Sequence, residues 1–400
     1  MGLDPTTLLL AGLALGFMLI FFYPKIQHNQ TWRATITPLA SIIGSGFLIA
    51  APLLYDLSGD DAVWVMLGLC VFAFAIGQVI RWNIQQVEPV LHEPRYRAVQ
   101  RTEQCSDIAL VFAYVLSVSY YLYLFSSFIV RAFGLTNGYP EKLITSVVLV
   151  FMAVFGFWRG FKALEKIEVY SVNIKLSIIL VFLLALAWFN LKTPAPNWPE
   201  KTFNPQHIPM VLGLLIMIQG FETSRYLGKE YSPKLRINSM RNAQLVSSAI
   251  YISFILLFTL VFRIHPLTTA ITDTSVIDVA QFVFVAAPLF LMVAAVASQL
   301  SAALADFSGN GGLINEVSQQ KIPIRSAYVI IALCCLVLVW QFDIFEIIDF
   351  ASKGFALFYL FQCASCMCIN FRVRPYRFYF AACVALGCLL VIVMGQPFEG

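Results

Sequence analysis

The chain has 400 residues, of which 60% are hydrophobic and 12% charged, and its mean hydropathy is +0.79. A soluble domain carries about 25% charged residues, so this composition excludes one and implies an integral membrane protein. The formal net charge is +4, but Lys and Arg sit in short connections beside apolar runs, which argues against a nucleic-acid surface.

A bilayer span needs about 20 mostly apolar residues, and the sequence predicts a dozen. Span 0 covers 7–23, span 1 35–57, span 2 62–82, span 3 107–132, span 4 142–158 and span 5 166–190. Span 6 covers 208–228, span 7 241–263, span 8 281–307, span 9 324–341, span 10 344–370 and span 11 376–395. Span 0 has no basic residue ahead of it and no small-x-small cleavage site behind it. It reads as a retained helix rather than a signal peptide. Lys and Arg prefer the cytoplasmic side. With the span 0–1 connection inside, nineteen of them fall on inside connections and five on outside ones. The N-terminus is therefore expected outside, in the plasma or bacterial inner membrane. The long outside connections are Pro194–Pro209, with a stiff proline-rich run from Thr193 to Pro199, and Thr268–Asp278, which has room for a short lid helix.

Two spans carry a glycine interruption. Span 1 contains Ile43-Gly44-Ser45-Gly46-Phe47, and span 6 contains Gln219-Gly220-Phe221-Glu222. A broken helix in lipid exposes amides at one half and carbonyls at the other, and survives only where protein or a water-filled cavity receives them. Amide ends attract anions and carbonyl ends attract cations. Two facing breaks suit a zwitterion. Gly44 and Gly46 let the chain approach a carboxylate, Ser45 adds a hydroxyl, and carbonyls near Gln219 and Gly220 accept an ammonium. Small residues serving only close helix packing are the competing reading. Glu222 reads equally as a protonatable gate or as an acceptor for nearby amides.

Other ionisable groups fall inside spans, where such a group is a functional candidate. Lys175 lies early in span 5, against the alternative of a lysine snorkelling to the interface. Asp349 and Lys353, four apart in span 10, share a helix face and read as a structural charge pair. Asp306 is expected near the cytoplasmic end of span 8, solvated or paired with Arg. Tyr114, Ser117 and Tyr121 in span 3 stand at i, i+3 and i+7, on one face. Cys363, Cys366 and Cys368 read as packing residues. No histidine lies near them, and no metal, cofactor or catalytic constellation is expected.

The motifs in spans 1 and 6 resemble those of the amino acid–polyamine–organocation (APC) superfamily. Ile43-Gly44-Ser45-Gly46-Phe47 resembles its first-helix signature. Gly220-Phe221-Glu222 with Lys229-Glu230-Tyr231-Ser232-Pro233 resembles the sixth-helix pattern, and Gly311-Gly312-Leu313 with Ile322-Pro323 resembles the junction of helices 8 and 9. The resemblance covers about residues 35–395. It implies an all-α polytopic bundle of two inverted five-helix repeats, the LeuT-type fold, with spans 1 and 6 unwound. The first repeat would be 35–190 and the second 191–371, with 1–34 an extra helix and basic loop and 372–400 a last helix. Span 0 is an addition to the family pattern, and the family's twelfth helix is missing.

The resemblance further implies a secondary transporter for an amino acid or related amine-bearing zwitterion, working by alternating access and needing no cofactor. Tyr114, Ser117 and Tyr121 would face its central cavity. Lys175 matches the lysine that replaces sodium in proton-coupled and exchanging members. It would bridge span 1 carbonyls and span 8 hydroxyls such as Ser298 and Ser301. The expected partners are therefore a small substrate, a coupling proton rather than sodium, and the lipid bilayer, with no nucleic acid. An inorganic cation or organic anion as cargo, or a transport-dead sensor or subunit, are the alternatives. The oligomeric state is open.

Overall fold

The computed structural model describes residues 5–91, 93–134, 138–159, 165–194, 202–228, 230–266 and 271–398. Lys229 and most of the proline-rich run lie outside these residues, as does the side chain of Ser45. The described residues form sixteen α-helices and no strand. Eight helical stretches are long and apolar enough to cross a membrane. One of them, Phe47–Val90, joins the second half of span 1 to span 2, and the measure leaves out α1, the first half of span 1, span 6 and α15.

Span 0 is α1 (Pro5–Phe21), which packs on α8 through buried Leu10 and Ala14 while Leu8, Leu9, Leu15 and Leu19 are exposed. A helix apolar on all sides belongs in lipid. A short α2 (Pro24–Gln27) leads into span 1, which is α3 (Gln30–Ser45) plus α4 (Phe47–Ser58). Spans 2 to 5 are α5 (Ala62–Gln86), α6 (Arg97–Ala132), α7 (Gly138–Arg159) and α8 (Glu165–Lys192). Span 6 is α9 (Ile208–Gly213), a 3₁₀ turn (Leu215–Ile218) and α10 (Thr223–Tyr226). Span 7 is α11 (Pro233–Ile264). The connection after it carries α12 (Ser275–Ala280), resting on α4 and α13. Spans 8 to 11 are α13 (Ala287–Val317), α14 (Ile324–Gln341), α15 (Ile344–Asn370) and α16 (Pro375–Met394).

Helices α6 and α15 form the densest contact in the bundle, and α6 also packs along α13. Both interrupted spans lie against this group and against α11.

The two interruptions differ in size. Span 1 breaks at one residue, Gly46, whose φ of −150° and ψ of 6° end α3 and start α4. Gly44 remains helical. A Cβ on Gly44 would lie 2.5 Å from the Ala302 Cβ, and one on Gly46 would lie 2.6 Å from the Met217 Cγ. Both glycines therefore bring backbone close to neighbouring elements.

Span 6 loses its α-helix earlier than the glycine at 220 suggests. The chain bends at Leu214, tightens into the 3₁₀ turn, and turns extended at Gln219. Gly220 follows at a φ of +115°, where side chains are disfavoured. The cause of the early bend is a side chain inserted into the helical ladder. Ser352 of α15 donates its hydroxyl to the Gly213 carbonyl at 2.7 Å and accepts the Ile216 amide at 2.9 Å. Removing the hydroxyl strands two buried backbone groups, at about 1–3 kcal/mol each. Ser352→Ala is expected to lower the thermal unfolding midpoint in detergent by several degrees, whereas Ser352→Thr retains most of it.

Candidate functional site

Near the end of α3 the carbonyls of Ala40, Ile42 and Ile43 accept donors from three other helices. Tyr251 of α11 donates its hydroxyl toward the Ile42 carbonyl at 3.0 Å and the Met217 carbonyl at 2.6 Å. One phenol thus bridges the carbonyl ends of both interrupted spans. Ser298 of α13 donates to the Ile43 carbonyl at 3.2 Å. Lys175 of α8 donates to the Ala40 carbonyl at 2.8 Å and lies 3.4 Å from the Ser298 hydroxyl. Lys175 is fully buried, so its ammonium ends among these oxygens and not at the interface. Ser301 turns back on its own helix and donates to the Ser298 carbonyl at 2.9 Å.

The break in span 6 forms the other wall. Gln219 donates to the Tyr121 hydroxyl at 2.6 Å. The Gly220 amide donates to Glu222 Oε2 at 2.9 Å, and the Tyr359 hydroxyl of α15 donates to the same oxygen at 2.9 Å. Glu222 is fully buried, and its Oε1, like Gln219 Oε1, has no hydrogen-bond partner among the described residues. The Gly220 carbonyl already accepts the Thr223 hydroxyl at 2.7 Å. Phe221 stacks on Tyr359 with ring centres 5.5 Å apart. A Cβ on Gly220 would lie 2.5 Å from the Ser41 hydroxyl, so the two breaks are in contact. Behind them lies a cavity of about 10 Å³ bounded by Ile42, Ile218, Tyr251 and Gln244, with room for about one water.

The α6 face carries Tyr114, Ser117 and Tyr121, all buried. Ser117 donates to Asp306 Oδ2, and Tyr114 meets Phe355 edge-on at 6.0 Å. Asp306 corrects its sequence assignment: it is 1% exposed and lies against α6, not solvated at a helix end. Asp349 and Lys353 are joined at 2.6 Å on α15, beside the bend in span 6 and away from Glu222. Tyr251, Tyr359 and Ser352 carry no sequence motif. Only their contacts across the bundle mark them.

Polar networks close both ends. Toward the basic connections, Arg225 donates to Glu103 and to Gln362, and Gln362 donates to Ser106 at 2.7 Å. Arg236 grips Glu88 through two contacts of 2.7 and 2.9 Å and donates to the Arg225 carbonyl at 2.6 Å. At the opposite end, α12 is tied to α6 by the Arg131–Asp278 ion pair.

Apolar spans broken along their length, facing each other and lined by buried ionisable and hydroxyl groups, define a secondary transporter. The comparisons agree. A family model described as an APC superfamily transporter matches residues 24–395, so the chain belongs to that superfamily. An uncharacterized protein of Aquifex aeolicus (strain VF5) is 38% identical over 382 residues, covering 94% of each chain. A solved structure described as the substrate-bound outward-open state of a Na+-coupled sialic acid symporter superposes with a TM-score of 0.53 at 11% identity, covering 98% of each chain. That likeness carries the fold, an all-α polytopic bundle of the LeuT type, in which spans 1 and 6 are the interrupted ones.

The connection to α12 carries a carboxyl shifted upward by burial. Burial raises the carboxyl of Asp273, just before α12, to about 6, against the lowering effect of the Ser127 hydroxyl. A raised folded-state value means that docking favours the protonated form, so this contribution is full below the ordinary carboxylate value and is lost as pH rises through about 6. Rate-corrected hydrogen exchange in residues 271–280 is expected to speed up between pH 5 and 7, and Asp273→Asn is expected to flatten that dependence.

Proposed function

We propose that this protein moves an amino acid or a related small amine-bearing zwitterion across the membrane, by proton coupling or exchange and not by sodium. The supporting observation is the Lys175 ammonium, 2.8 Å from the Ala40 carbonyl beside Ser298. A resident monovalent charge there does the electrostatic work that a bound sodium ion would do. For the cargo, the unpartnered oxygens of Glu222 and Gln219 favour an ammonium. The N-cap of α4 is Gly46, which has no side chain to cap the first amides, and this favours a carboxylate there. The excess of Lys and Arg on one set of connections supports an N-terminus outside. Residues 35–190 and 191–371 are the proposed repeats.

Uptake into proteoliposomes tests this reading. Saturable flux of at least one amine-bearing zwitterion is expected, unchanged when choline replaces sodium. Gly46→Ala pushes a methyl group onto Met217 and is expected to cut flux roughly tenfold or more, the equivalent of about 1.4 kcal/mol of lost complementarity. Strict sodium dependence would defeat the coupling assignment, and absence of flux across amines and zwitterions would defeat the cargo.

A further inference from the structure

The chain does not leave the bundle after α16. Gly395 to Phe398 fold back across the start of span 6. The Gln396 amide donates to the Pro209 carbonyl of α9 at 3.0 Å. Phe398 is 5% exposed, and its ring lies 5.3 Å from that of Phe345 on α15. Gly213, the last residue of α9, has no room for a Cβ, because the Gln396 carbonyl and Asp349 Oδ1 occupy that direction. Gly395 is confined in the same way by the Val391 carbonyl and Asp349 Oδ1. Two glycines on separate elements therefore fit one carboxylate, which Lys353 holds through its other oxygen at 2.6 Å.

Helix α9 is six residues long and ends at the bend that Ser352 holds open. Its packing partners are α4, α15 and α16. Of these, α15 runs the length of the bundle against α6, whereas α9 belongs to an interrupted span. The segment thus fastens the short half of the broken helix to a long continuous one. The fastening is small: one main-chain hydrogen bond, one ring and a tight glycine contact, with no ion pair between the segment and α9 among the described residues. A fastening of that size can open within a transport cycle.

We propose that residues 395–398 act as a strap that positions α9 and holds the end of the pathway opposite Arg225 closed, so that releasing the strap opens that end. This uses the alternating-access fold and does not depend on the identity of the cargo or the coupling ion. Leu214 and Ser106 are both buried, on opposite sides of the breaks, and each can report opening once replaced by cysteine.

The test measures labelling by a soluble maleimide of Leu214→Cys and, separately, Ser106→Cys, with the exposed cysteines at 105, 334, 368 and 383 changed to serine. Each reporter is read in the full chain, in a chain stopped after Met394, and in full chains bearing Gln396→Pro or Gly213→Ala. The proline removes the donor to Pro209, and the alanine pushes the strap away without shortening the chain. Release of the strap is expected to speed labelling at 214 several-fold and to slow it at 106, because the two ends open alternately. Unchanged labelling at 214 in all three variants overturns the proposal. So does faster labelling at both positions, which signals loosened packing and not a shifted gate.

Discussion

The structure depends on satisfying backbone groups that two helix interruptions release inside a low-dielectric environment. Unpaired peptide groups there cost several kcal/mol each, so each break needs partners brought from elsewhere in the chain. Tyr251 serves the carbonyl ends of both breaks, Ser298 and Lys175 serve α3, Ser352 serves the bend at Gly213, and Glu222 takes the Gly220 amide. These side chains come from α8, α11, α13, α15 and the broken span itself. The interruptions therefore hold the bundle together as much as they perforate it.

All of these partners are hydroxyl, ammonium or carboxylate groups on rotatable side chains. A helix ladder gives up its hydrogen bonds only by unwinding, whereas a tyrosine or serine can exchange a carbonyl for water or a ligand at small cost. Breaks satisfied in this way are stable when closed and can still be rearranged. The glycines work with them. Gly44, Gly46 and Gly220 bring α3 against α13, the Gly46 hinge against Met217, and the span 6 turn against Ser41. At Gly46 and Gly220 close packing and interruption fall on the same residue, whereas Gly44 stays helical and serves packing alone.

The charged groups divide by depth. Arg225, Glu103 and Gln362 form a buried set on one side of the breaks, and Arg236 with Glu88 extends it to the surface. A buried ion pair is weak evidence of net stability, because desolvation offsets its attraction, but losing one partner is costly. Such a pair suits a closed gate: it holds one geometry sharply and gains hydration when parted. Opposite it, α12 is held by a half-exposed ion pair, and the carboxyl of Asp273 just before it responds to pH.

The sequence by itself determined the membrane class, the order of the spans, and which two of them are interrupted. Each of these is a local property: apolar length, glycine in an apolar run, charge beside a span. Lys175 was legible for the same reason, as a charge stranded in a hydrophobic segment. Only the tertiary structure decided that span 6 bends at Gly213, because the serine that bends it stands 139 residues away. Likewise it decided that Asp306 turns to Ser117, and that Tyr251 and Tyr359 serve the breaks. A tyrosine in an apolar helix looks the same whether it faces lipid or a stranded carbonyl. Which it faces depends on helix rotation and neighbours, and those are fixed by packing across the whole bundle, which no local pattern encodes.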